Sequence, residues 1–216
     1  MTATLLSVHT GKVAPLGPDC VPSGIVKPAR PGAVTVEAEG LEGDAQADLS
    51  VHGGPDKAVY GYAAEHYPRW AAEHPEHAAR FAPGVMGENL AIAGLDEAAI
   101  CVGDVHAIGT ALLQVCQPRQ PCFKLGLQFG DPLMVKAMVR NERAGWYYRV
   151  LQPGALRAGE AVTLQDRPHP DFSFARLVTI VYRREPTRDE LVRMAEMEGL
   201  ARQWRIKAQQ ALREMS

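Results

Sequence analysis

The chain has 216 residues, 46% of them hydrophobic, with 23 Lys and Arg against 25 Asp and Glu and a formal net charge of -2. That length allows one large domain or one domain with a small appendage, and the apolar fraction supports a packed core and excludes wholesale disorder. The balanced charge excludes the basic excess of a dedicated nucleic-acid binder, and no apolar stretch is long enough to span a bilayer.

In chain order, short apolar runs separated by glycine and proline predict strands over Thr4–His9, Ala33–Ala38, Glu88–Ala93, Asp104–Ile108, Ala111–Gln117 and Ala161–Leu164. Two insertions between them read as helices. From Asp56, the residues Val59, Tyr60, Ala63, Ala64 and Tyr67 recur at helical spacing. Asp131 can cap a second helix, with Pro132 at its first position and Leu133, Met134, Ala137 and Met138 on its buried face. The expected fold is mainly β within an α+β class, a barrel-like β domain with inserted helices over residues 1–168. Arg167-Pro168-His169-Pro170 reads as a linker.

Beyond the linker glycine nearly disappears, and residues 169–216 predict a small three-helix domain. Phe174, Leu177, Val178 and Val181 share one helical period. Thr187-Arg188-Asp189-Glu190 is a capping box, and Gly199 can close the helix it starts. Leu200, Trp204, Ala208, Ala211 and Leu212 line one face of the last helix. A bundle this small needs a partner surface to pack on.

The start, Met1 to His9, lacks the basic-then-apolar pattern of a signal peptide, so a cytoplasmic location is expected. The four cysteines, Cys20, Cys101, Cys116 and Cys122, are sparse, and no pair is spaced as C-x-x-C. Neither a disulfide framework nor a four-ligand zinc site is expected. Cys20, Cys101 and Cys116 read as buried or inert. His66, His74 and His77 form no H-E-x-x-H motif and read as a solvated face.

Cys122 is different. It sits in Gln117-Pro118-Arg119-Gln120-Pro121-Cys122-Phe123-Lys124-Leu125. The prolines stiffen the backbone and hold it away from helix. Arg119 and Lys124 flank the thiol and favour its thiolate. The residues alone leave nucleophile, persulfide carrier and soft-metal ligand open.

Glycine-flanked polar residues precede it. Gly43-Asp44-Ala45-Gln46-Ala47-Asp48 is followed by His52-Gly53-Gly54-Pro55-Asp56-Lys57-Ala58-Val59. Paired glycines leave amides free to face an anion, and Lys57 adds a cation. This is either a phosphate or carboxylate cradle or a tight turn with a helix cap. In Gly87-Glu88-Asn89-Leu90, Glu88 and Asn89 offer an acceptor and an amide, or simply turn the chain into a strand. Arg140-Asn141-Glu142-Arg143-Ala144-Gly145-Trp146-Tyr147-Tyr148-Arg149 combines arginines with exposed-type aromatics. That suits a heterocycle plus a phosphate, or an ordinary helix end with surface ion pairs.

These motifs, in this order and with Gly103-Asp104, resemble the MOSC domain family, named for the C-terminal domain of molybdenum cofactor sulfurases. The YiiM-like branch, which carries a three-helix domain after the barrel, is the most similar, and the resemblance covers nearly the whole chain. It implies a barrel that binds the molybdenum cofactor, a pterin with a dithiolene and a phosphate. Cys122 would then be both the catalytic residue and the metal ligand. The basic and glycine-rich loops, with Arg119, Lys124, His52, Gly53, Gly54, Lys57, Glu88, Asn89, Arg140 and Asn141, would hold the pterin phosphate. The implied activity is reduction of N-hydroxylated compounds such as hydroxylaminopurines. The alternative is a carrier of cofactor or sulfane sulfur on Cys122 without turnover. No C-x4-C-x2-C iron–sulfur pattern is present. Electrons would therefore come from a separate reductase, with no nucleic-acid polymer or membrane as partner. The tail would serve donor docking, homodimerisation or stability.

Overall fold

Where buried residues alternate with less buried ones, as over residues 111–115, a strand has one face that needs a shared interior. The computed structural model describes residues 3–215; Met1, Thr2 and Ser216, at the outer ends of the two expected domain ranges, lie outside the described residues. The strands are β1 (Ala3–Val8), β2 (Ala14–Leu16), β3 (Val21–Ser23), β4 (Val34–Glu37), β5 (Gly40–Leu41) and β6 (Val59–Ala63). They continue with β7 (Leu90–Ala93), β8 (Val105–Ile108), β9 (Ala111–Pro118), β10 (Trp146–Gln152), β11 (Gly154–Leu156) and β12 (Ala161–Asp166). Seven close into a barrel in the order β1-β12-β8-β9-β10-β6-β7, and β7 pairs back onto β1. Within the barrel only β6 and β7 run parallel, and a parallel pair needs a long crossover.

That crossover carries α1 (His66–Glu73). Two further helices, α2 (Phe123–Phe129) and α3 (Leu133–Asn141), fill the connection from β9 to β10. Together they cover a second apolar cluster that includes Tyr62, Trp70, Met86, Leu125, Phe129 and Met138. The barrel interior is filled by Leu5, Val59, Ile92, Leu113, Trp146 and Tyr148. Among the described residues no helix is long and apolar enough to cross a membrane.

The barrel with inserted helices matches the expected fold class, and all six expected strands are present with ends shifted by up to two residues. Three local readings change. Val59 to Ala63 is strand β6, with helix only from His66. All five strand residues are buried, so the run has no polar face from which to separate a 3.6 period from a strand. Trp146 and Tyr148 are fully buried on β10 rather than exposed. Asp131 caps α3 as expected, its Oδ1 accepting from the Leu133 amide at 2.8 Å. Met134, Ala137 and Met138 are buried there, but Leu133 is 61% exposed.

The tail forms α4 (Phe174–Arg183), α5 (Arg188–Glu196) and α6 (Arg202–Glu214). The Thr187 capping box is complete, with both reciprocal hydrogen bonds made. Phe174, Leu177, Val178 and Trp204 join the same apolar cluster as Leu113 and Val115 of the barrel. The Ala201 amide donates to the Cys116 carbonyl at 3.0 Å, and Trp204 Nε1 donates to Gln117 Oε1 at 3.1 Å. The tail is therefore anchored on β9, the strand that leads to Cys122.

Because tail and barrel share one cluster, Phe174→Ala is expected to destabilise the whole chain by about 3–5 kcal/mol. Denaturation followed by far-UV and near-UV circular dichroism should give one coincident transition at lower denaturant; a tail melting alone would split the two probes.

Candidate functional site

β9 ends at Pro118, and the chain then crosses the barrel end to Cys122, the N-cap of α2, which stays extended at φ -109° and ψ 171°. Pro121 restricts the approach and the helix begins only after the cysteine, as the stiff segment implies. Cys122 is half-buried in the wall of a narrow, open-mouthed cleft with about 90 Å³ of enclosed space.

The wall joins distant segments. His52, Gly53 and Lys57 come from the glycine loop, Lys27 and Asp44 from earlier loops, and Tyr60 and Tyr147 from β6 and β10. Gly53 and Gly54 take φ of 101° and 77°, which a side chain would oppose. Lys57 Nζ donates to the Val51 carbonyl at 2.5 Å, which folds the loop onto itself.

The thiol of Cys122 is subject to opposing effects. Burial pushes its pKa up, but the His52 ring as hydrogen-bond partner, the Lys124 amide and the Arg119 charge outweigh that and bring it down to about 7. Lys124 thus acts on the sulfur chiefly through its backbone. His52, which the sequence suggests only as part of a cradle, is the main side chain favouring the thiolate.

Arg119 is 7% exposed. Its guanidinium lies 5.0 Å from the Tyr60 ring centroid and donates to the Met86 carbonyl. Among the described residues it has no carboxylate ion-pair partner, whereas Lys27 is paired with Asp44. The negative charge Arg119 feels in the cleft is the Cys122 sulfur, and a buried guanidinium with no carboxylate partner favours a further anion there.

The structure brings together seven of the expected residues: His52, Gly53, Lys57, Asn89, Arg119, Cys122 and Lys124. The others lie off the wall. Gly54 starts the short 3-10 turn Pro55–Lys57. Glu88 is fully buried, and one of its oxygens accepts from Tyr67 Oη and the Gly84 amide. Arg140 and Asn141 end α3 outside the cleft, and Asn141 Oδ1 caps the Arg143 amide at 3.2 Å. Even Asn89, which does reach the wall, is committed to the fold. Its amide joins the Tyr60 amide at 3.0 Å, the His9 carbonyl at 3.1 Å and Asp44 Oδ2 at 3.0 Å.

Outside the cleft, His66 is buried against Glu97 at 2.7 Å rather than solvated. Cys101 and Cys116 are buried as expected, but Cys20 is exposed. Sequence reasoning passed over Lys27, Tyr60 and Tyr147 as wall residues. Asp44 also lines the wall, and the glycine before it, Gly43, is the local signal for that position.

A search of family profiles matches the MOSC domain over residues 48–163, a span holding the glycine loop and Cys122. The chain belongs to the MOSC domain family. It is 37% identical to Protein YiiM of Escherichia coli strain K12, over 92% of this chain and 88% of that protein. Among solved structures, YiiM from Geobacillus stearothermophilus superposes with a TM-score of 0.80 at 32% identity, covering 97% of this chain and 99% of that one. A protein named Reductase from Gibberella moniliformis is 37% identical over 82% of this chain but only 32% of its own length, so the chain spans about a third of it. These MOSC relatives agree with the barrel and helical tail described above.

The thiolate sets a pH dependence. A folded value of about 7 lies below the unfolded thiol at about 8.5. The ionised sulfur therefore favours the folded state above the unfolded value, and that contribution is lost as pH falls through about 7. Iodoacetamide labelling of Cys122 is expected to rise with a midpoint near pH 7. In His52→Ala the midpoint should move up towards the ordinary thiol value; an unchanged midpoint would remove His52 from this role.

Proposed function

We propose that this MOSC protein binds the molybdenum cofactor and reduces N-hydroxylated compounds, hydroxylaminopurines among them. The observation that carries this reading is the pairing of a thiolate-prone Cys122 with a buried Arg119 that has no carboxylate partner among the described residues, in one cleft. A single thiolate suits a metal already held by a dithiolene, and the cations suit a phosphate. The residues present thus fit the group. The relative named Reductase supports reduction as the reaction class.

When bound, the cofactor supplies two-electron reduction at its molybdenum. The chain does the rest. Cys122 would be the metal ligand, and a pKa of about 7 leaves a large share of the sulfur ionised at neutral pH, ready to bind. Arg119, Lys57 and Lys124 offset the phosphate charge, and Gly53 lets the backbone come close. His52 can hold a proton on the ring beside the sulfur, where the departing hydroxyl needs one to leave as water. The balance is R–NHOH with two electrons and two protons giving R–NH2 and water. The electrons come from a separate reductase.

Protein made in a cofactor-competent host is expected to retain molybdenum and pterin and to turn over hydroxylaminopurine with an artificial electron donor. Cys122→Ser should abolish turnover and lose the sulfur ligand in X-ray absorption. Loaded protein that leaves hydroxylaminopurine untouched would sink this reading for that substrate. A mass adduct of one sulfur on Cys122, reversed by reductant and without turnover, would instead identify a sulfur carrier.

A further inference from the structure

A second depression, an open groove of about 530 Å³, lies on the tail among α4, α5 and α6. Its floor is apolar: Ile180, Val181, Leu191, Met194, Trp204 and Ala208. Its two ends differ. Gln120, two residues before Cys122, belongs to both this groove and the Cys122 cleft. Arg184 follows α4 at the end whose Tyr182 Oη donates to the Arg119 carbonyl at 2.6 Å. Lys207 lies on α6 with its ammonium 4.2 Å from the Trp204 ring centroid, and its charge is felt by Lys57 in the cleft wall. Among the described residues, neither Arg184 nor Lys207 has a carboxylate ion-pair partner. Glu214 closes the other end, two helical turns or roughly 10 Å further along α6. The N-terminus of α6 is fixed to the barrel, where the Arg202 amide donates to Asp56 Oδ2 at 2.9 Å. Glu214 is therefore the distal end.

The groove is thus polar and cationic where it meets the cleft, apolar along its floor and acidic far from it. We infer that it is a second lobe of the substrate site, holding the apolar body of an amphipathic N-hydroxy compound whose N–OH head enters the Cys122 cleft past Gln120. The head-group assignment rests on the reductase reading; the groove's ligand preference does not. Three features select this occupant: small-molecule dimensions, adjacency to the cleft across Gln120, and cations at the end where an electron-rich oxygen head would pass. A compact purine would leave the apolar floor bare, whereas an acyl or aryl chain covers it.

The test uses the full chain and two probes with the same head, acetohydroxamate and octanohydroxamate. In calorimetric titration the longer probe is expected to bind about tenfold tighter or more, since several methylenes leave water. Ala211→Trp places an indole over the groove at a half-buried rim position. It should erase that difference while leaving acetohydroxamate affinity and neutral-pH labelling of Cys122 unchanged. In the unaltered chain the Met194 methyl resonance should shift with octanohydroxamate and not with acetohydroxamate.

Equal affinities, a preference that survives Ala211→Trp, or an unmoved Met194 methyl would overturn the inference. So would a Met194 shift that follows protein concentration or an added electron-donor protein in place of the probe. That outcome would give the groove to a second copy or to the donor. Turnover of acetohydroxamate by loaded enzyme tests the reductase reading separately. If it fails while the binding results hold, the groove stands and the chemistry does not.

Discussion

The carboxylate of Asp56 is where the three parts of the chain are joined. Its Oδ1 accepts from Arg149 Nε at 2.9 Å and Nη2 at 2.5 Å on β10. Its Oδ2 takes the Arg202 amide that starts α6. Its backbone carbonyl accepts from Gln117 Nε2 at 2.6 Å on β9. One residue at the end of the glycine loop thus fixes that loop to two barrel strands and to the tail. Charge-assisted hydrogen bonds of this kind contribute about 1.5–3 kcal/mol each when buried, and less here because both side chains are a quarter exposed. Their larger effect is geometric. His52 lies four residues before Asp56, so the donor that favours the Cys122 thiolate is placed by this junction.

The second constraint is an imbalance left inside the cleft. Lys27 and Asp44 are buried together and largely cancel. Arg119 is buried without such a partner, held by a carbonyl and an aromatic face. Desolvating a guanidinium costs several kcal/mol, and neither a carbonyl nor a ring offsets that in full. The fold accepts this cost at one place, beside the only cysteine on the cleft wall. An anionic group bound there gains from a charge already stripped of water and held in place.

Much of this was legible in the sequence, for physical reasons that differ by segment. The strand set and the capping box follow from local patterning, and the structure agrees with both. The prolines around Cys122 marked a presented thiol because proline acts through its own ring and its neighbour. What failed was fully buried or long-range. Val59 to Ala63 has no polar face, so its period is ambiguous. Trp146 and Tyr148 have the composition of exposed aromatics beside arginines, yet β10 is paired on both sides within the closed barrel and buries them. Asn89 looked like a ligand group, but partners far along the chain take up its amide. Glu88 is buried off the wall, with one oxygen bonded to Tyr67 and Gly84 and the other without a partner among the described residues. No local signal reports that Lys27 meets Asp44, or that Tyr60 lies under Arg119.

The tail is better understood as part of the site than as an appendage. Tyr182 holds the carbonyl of Arg119, Trp204 holds the side chain of Gln117, and Arg202 caps Asp56. Each contact falls on a residue that positions the thiol or its neighbours. The bundle could not bury its own apolar faces if detached, since Phe174 and Leu177 are completed by barrel residues. The packing that stabilises the three helices therefore also sets the backbone on which Cys122 and Arg119 sit. A chain that needs an accurate cleft at a barrel end, where strands finish and loops would otherwise move, gains rigidity by docking a helical layer against those loops.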